Sequence, residues 1–300
     1  MTVETHEVAP AITSPTRPLY WSVMRELWEN RSIYIAPVGV AGVFLFGFLI
    51  STIGLPHRRR AVLLLDPTKQ RAAIEQPYDV VAITLLVTAI IIGFFYCLDA
   101  LHSERSDRSL LFWKSLPVSD LTTVLSKVSI PAIVLPAIIF ATIVVTQIVM
   151  MLWTSMILVM SGMSPASTWI HVHFITNSLI LLYGIVALVL WHAPIYAYLL
   201  LISASVKRAA FLWAMLPLVA IQLLEKIAFG TTYFGKFLQY RFLGHVPLAF
   251  SIIGPHGDIT SLSQLTPGRF LMTAGLWVGL VVAAILIAAT VRLRRNREPI

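Results

Sequence analysis

Apolar residues in this chain gather in unbroken blocks, not in the one-sided stripes of a water-soluble helix. A spanning helix needs about 20 such residues, since a rise of 1.5 Å per residue has to cover about 30 Å of hydrocarbon. Six segments qualify, at about 33–53, 80–98, 131–155, 176–201, 211–229 and 270–291. The uncharged stretch 128–160 is too long for one perpendicular span. With Trp153 as an interfacial anchor, counting back puts its start near Ile133, so Pro131 and Pro136 fall in the first turns, where proline is best tolerated. Thr266 and Pro267 read as the cap and first turn of the last helix. Barrel-type alternation is absent, so the predicted fold is an all-α polytopic membrane protein with six transmembrane helices.

Two segments have a different pattern. Between Arg17 and Arg31, Leu19/Tyr20, Val23/Met24 and Leu27/Trp28 recur every four residues, while Ser22, Arg25, Glu26, Glu29 and Asn30 fall on the other faces. That predicts an amphipathic interfacial helix over 17–31, with a plain lead-in to the first span as the alternative. The 230–268 segment is half apolar, with Phe237, Leu238, Phe242, Leu243 and Phe250 among glycines and prolines. Its runs are too short to span and predict short re-entrant or interfacial helices on the outer side. Residues 1–16 are polar and proline-containing and read as a disordered tail. Residues 32–292 form one membrane domain, and 293–300 a basic cytoplasmic tail.

Composition narrows the function. The 300 residues are 58% apolar and 12% charged, about half the charge of a soluble domain, which excludes an ordinary water-soluble enzyme. The single cysteine, Cys97, excludes an internal disulfide framework and an all-cysteine metal site. The net charge of +8 is scattered at span edges, so it is no nucleic-acid footprint. With both termini inside, 13 of the 22 basic residues fall on the inner side, as the positive-inside bias prefers. The expected location is the bacterial cytoplasmic membrane with both termini cytoplasmic. The run Arg58-Arg59-Arg60 on the outer side goes against the bias.

The loop 99–127, with seven charges before Lys127 closes it, is the most informative segment between spans. Glu104 and Arg108 make a favourable i,i+4 pair, Pro117 breaks the helix, and Ser119 or Asp120 can cap a new one over Leu121–Lys127. A helix, an elbow and a second helix suit a lever that a partner protein pushes; an ordinary solvated hairpin is the alternative, and composition does not separate them. The string ERSDRSLLFWKSLPVSDLTTVLSK (Glu104 to Lys127) resembles the cytoplasmic segment after the second span in ABC transporter permeases of the ABC-two class. There E-R-x-x-x-(S/T)-L is followed by S-L-P-V-S and a lysine entering the third span. WHAPIYAYLLLISASVKRAAFLWAMLP (Trp191 to Pro217) is similar to the fourth-to-fifth-span region of that family. The resemblance covers roughly 17–292, loosely in the outer loops.

That resemblance implies a permease subunit of an ATP-driven transporter, more often an exporter, which pairs with a second copy or paralogue, a homodimer being expected. Leu116, Pro117, Val118, Ser119 and Asp120 would form or adjoin a helix docking into a separate ATPase subunit. Glu104 and Arg105 would tie the helix leaving the second span to its neighbours. ATP and magnesium would bind in the partner ATPase, and no cofactor or metal in this chain. Gly230-Thr231-Thr232-Tyr233-Phe234-Gly235-Lys236 matches the start of a phosphate loop, but Phe237 replaces the Ser/Thr for magnesium and no strand precedes it.

Polar residues within or near spans are candidates for a substrate path through membrane lipid. His192 has a local hydrogen bond at the Pro194 kink as its alternative reading. Gln147 and Gln222 are equally open, and Glu225 either snorkels outward or marks the mouth of a path. His171 and His173 lack an acidic or cysteine partner in sequence, so a loop role outranks metal binding. Gly275 and Gly279 permit close helix packing. The other functional readings are an intramembrane protease or lipid-modifying transferase, for which paired catalytic groups at membrane depth are not evident, and a non-transporting scaffold.

Overall fold

A computed structural model describes residues 16–103, 119–251, 259 and 261–296. Its elements are helices: α1 (Thr16–Glu29), α2 (Ser32–Ser51), α3 (Leu55–Val62), α4 (Pro67–Asp99), α5 (Asp120–Ser129), α6 (Leu135–Met160), α7 (Ala166–His171), α8 (Phe174–Ser205), α9 (Ala210–Phe229), α10 (Tyr233–Leu243), α11 (His245–Ala249), α12 (Pro267–Leu271) and α13 (Ala274–Asn296). Six helical stretches are long and apolar enough to cross a bilayer: Ser32–Val62, Pro67–Asp99, Asp120–Met160, Phe174–Ser205, Ala210–Phe229 and Ala274–Asn296. The chain is an all-α polytopic membrane protein. Glu26 of α1, the start and end of α5 and Arg294 of α13 lie together on one face, called here the terminal face; the opposite side is the far face.

Several boundaries differ from the sequence expectation. The helix that carries the third span runs on from Asp120, and Pro131, expected in its first turn, lies in a π-helical turn, Ile130–Val134. The wider turn accommodates a residue without an amide proton, so the helix continues without a break. The helix that carries the second span starts at Pro67, so its polar first turns project ahead of the apolar block that opens at Val80. Thr266 does not cap the last span; its hydroxyl donates to the Leu248 carbonyl at 3.0 Å, and Pro267 opens the separate helix α12.

The core lies between α4, α6 and α8. Along α4, Val81, Leu85, Ala89 and Gly93 follow at four-residue steps and face inward, whereas Ile83, Val87, Ile91 and Phe95 are exposed. Leu135, Ile139 and Ile143 make the matching buried row on the third span. Both sides of each helix are apolar, so shape decides which one is buried. Gly93 lets the Tyr196 ring approach; a Cβ there would sit 3.3 Å from the ring. The span α9 buries only Ala214.

The segment after α9 turns back into the bundle. α10 and α11 reach Trp191 and His192, which lie about 25 Å along α8 from its start at 1.5 Å per residue. Arg241 of α10 places its guanidinium over the Trp191 ring, 4.8 Å from the centroid, and donates to the Gly275 carbonyl at 3.1 Å. A Cβ at Gly279 would collide with that guanidinium. The Gly275 and Gly279 pair therefore receives Arg241 and the Tyr240 ring of a re-entrant helix, a use that sequence spacing alone did not reveal.

Candidate functional site

Three polar contacts fasten the ends of the charged loop at the terminal face. The first surrounds Glu26. The helix α1 turns Tyr20, Trp21 and Trp28 outward and exposed, and packs Val23 and Leu27 against the core. Glu26 follows Val23 by three positions and so points inward with it, contrary to the expectation that it lies on a solvated face. Its carboxylate is 0% exposed. Oε1 accepts from Lys127 Nζ at 2.9 Å and from Arg25 Nη2 at 2.9 Å, and Oε2 accepts from the Tyr96 hydroxyl at 2.9 Å. Lys127 is 2% exposed. Burial works against the ionised carboxyl, but the Lys127 charge and hydrogen bond, then Arg25, outweigh it and hold Glu26 below the ordinary carboxylate range.

The second contact joins Asp120 to Arg294 of the last span at 3.1 Å. Ser119 caps α5 by accepting from the Thr122 amide at 3.1 Å, as the sequence predicts for that residue. Asp120 then lies in the first turn of one helix and Arg294 in the last turn of another, each where the helix dipole favours its charge. The third contact is at the loop's entry. Ser203 of α8, fully buried, accepts from the Leu101 and His102 amides, both at 3.0 Å. Two backbone donors just past the end of α4 thereby find an acceptor on the fourth span.

The charged loop is thus rooted in α1, α4, α5, α8 and α13 at once. Glu104, Arg105, Leu116, Pro117 and Val118 lie outside the described residues; Ser119 and Asp120 belong to the root. Sequence reading missed Glu26, Tyr96, Ser203 and Arg294 as members of this site. One signal was available: Lys127 directly precedes an uncharged stretch of 33 residues, Val128–Met160, and a charge so placed requires a counter-ion.

The four path candidates do not converge on one site, although Gln222 and Glu225 share a turn. Gln147 donates to the Tyr78 carbonyl at 3.1 Å, tying the third span to the second. His192 bonds the Leu188 carbonyl at 2.9 Å through Nδ1 and faces the His245 ring, with centroids 5.4 Å apart. Its local bond thus goes to Leu188, not to the Leu190 carbonyl that Pro194 frees. Glu225 accepts from the Thr231 hydroxyl at 2.7 Å and from the Tyr233 and Phe234 amides at 2.5 and 2.8 Å. It caps the N-terminus of α10. The stretch resembling a phosphate loop therefore wraps an anion that the chain itself supplies. Gln222 reaches the same turn, 3.1 Å from where a Cβ on Gly235 would stand. Neither described cavity is lined by any of these four.

Among the described residues no group of three or more His, Cys, Asp or Glu side chains is placed to hold a metal ion. Comparison with known proteins returned no matching family model, no matching curated protein and no matching solved structure.

Proposed function

We propose that this chain is the permease subunit of an ATP-driven transporter of the ABC-two class, an exporter working as a dimer in a bacterial cytoplasmic membrane. Separate ATPase subunits, which bind ATP and magnesium, engage it through the loop 99–127. The observation that carries the reading is the Glu104–Lys127 string, whose second half is fastened through Asp120 to the last span and through Lys127 to the first helix.

Such a root has a mechanical consequence. A buried ion pair resists separation, because parting the charges leaves each uncompensated in a poor solvent. A push on the loop is then not absorbed in a frayed turn. It is passed to α1, α4, α8 and α13 together, as rigid-body motion of packed helices. The helices α10 and α11, held against Trp191 and His192 at mid-bundle, lie along the route by which that motion reaches the far face.

The test is co-purification with the ATPase encoded by a neighbouring reading frame. Association is expected with the native loop and is expected to fall at least tenfold when residues 117–120 are replaced by Gly and Ser. Undiminished association would reject the docking assignment.

A further inference from the structure

On the far face a cleft of about 350 Å³ opens between α2, α3, α4 and α6. Its walls are mostly apolar, with Phe44, Phe48 and Leu55 from the first span and Val80 of α4, and Arg58 and Arg59 line its α3 portion. From Phe44 to Arg58 the cleft follows the helix for roughly 20 Å at 1.5 Å per residue. Val80, which lines the cleft, is 44% exposed.

The two arginines differ in setting. Arg58 is exposed, whereas Arg59 is only 6% exposed. Arg59 spends one nitrogen on a neutral partner, the Thr168 hydroxyl of α7 at 2.9 Å, and its buried Nε has no partner among the described residues. Among the described residues no acidic side chain lines the cleft, and no carboxylate stands within ion-pair distance of Arg58, Arg59 or Arg60. The contrast with Lys127 and Arg294, each supplied with a carboxylate, is direct. A buried guanidinium at a membrane boundary calls for an anion, and one hydroxyl does not supply it.

We propose that this cleft binds an anionic amphiphile, its acidic headgroup on Arg58 and Arg59 and its apolar chain along Phe44, Phe48 and Val80. The fork of a guanidinium matches a phosphate or carboxylate bidentately, and the apolar length below it has no role for a small soluble anion. The site also gives the Arg58-Arg59-Arg60 run a purpose on the face where the positive-inside bias does not expect it. It is independent of the transport reading, since the loop at the terminal face takes no part in it.

The test is lipid retention measured by native mass spectrometry on the full-length protein, delipidated and re-exposed to vesicles. One set is pure phosphatidylcholine and the other contains equal parts of phosphatidylcholine and phosphatidylglycerol. The native protein should retain the anionic lipid selectively. Arg58→Gln, which alters an exposed side chain and so spares the fold, should lower that selectivity about tenfold, the factor one charge-assisted hydrogen bond carries. Arg59→Gln should abolish it, and Thr168→Val, which leaves both charges, should preserve it. Equal retention of both lipids by the native protein, or unchanged selectivity in both arginine variants, would overturn the proposal. So would millimolar inorganic phosphate that displaces the lipid equally whatever its chain length, because the site would then recognise a free anion.

Discussion

Lys127 Nζ lies 2.9 Å from Glu26 Oε1, in a contact that joins residues 101 positions apart and leaves neither side chain exposed to solvent beyond 2%. It connects the interfacial helix to the helix that receives the charged loop, and the Tyr96 hydroxyl adds the second span to the same carboxylate. Removing Lys127 leaves Arg25 and the Tyr96 hydroxyl to hold the buried carboxylate, so Lys127→Met should lower stability by about 3 kcal/mol, the low end for a broken buried pair. The double variant Glu26→Leu/Lys127→Met removes both charges and should recover most of that loss. Thermal unfolding of the purified protein in detergent separates the two; equal losses would show that the charges are not coupled.

The pH dependence of this contact has a defined sign. Glu26 has its carboxyl pKa lowered in the folded protein by Lys127 and Arg25 against the opposing effect of burial. A group of that kind contributes stability that is present above its unfolded pKa and lost as pH falls through its folded pKa. Stability from this site should therefore be complete above the ordinary carboxyl range, decline as pH falls through that range, and be gone below the lowered folded-state pKa. Glu26→Gln should remove that acid-side component from the unfolding profile. A component lost near neutral pH would contradict the assignment.

The spans were legible because one physical quantity, 1.5 Å of rise against about 30 Å of hydrocarbon, turns a run of apolar letters into a crossing. Their ends were less so. Polar residues such as Lys69 and Arg71 extend a helix beyond the apolar block, and Pro131 is accommodated by a π turn, where a single sequence suggests a helix start. Ser119 was readable as a cap because capping is local. Glu26, Ser203 and Arg294 were not, because each finds its partner across the bundle. Glu26 sits in a pattern that periodicity assigns to water, and only the position of α5 reveals the ammonium waiting for it.

Arg241 is held between the Trp191 ring and the Gly275 carbonyl, with no room for a methyl group at Gly279. Gly279→Ala should force the guanidinium out and cost about 1–3 kcal/mol, the usual penalty for overpacking. Arg241→Met in the same background removes the collision and should relieve much of it. A double-variant cycle on unfolding temperature is the check, and strict additivity would deny the contact.

Glu225 satisfies the Tyr233 and Phe234 amides at the start of α10. Glu225→Ala should leave those two donors open to water and fray the first turn of the re-entrant helix. Hydrogen exchange at Tyr233 and Phe234 should accelerate, while exchange in the middle of α8 stays unchanged. Protection that persists at both amides would show that another acceptor caps the helix.

The account rests on the loop between Ser103 and Ser119 being the place where a separate ATPase meets this chain. A photo-crosslinking residue at position 118, in full-length protein co-expressed with the neighbouring ATPase, tests that most directly, with the same probe at Met160 on the far face as the control. The account predicts a crosslink to the ATPase from position 118, stronger with ATP bound, and none from position 160. Absence of any crosslink from position 118, or equal yields from the two positions, would contradict it.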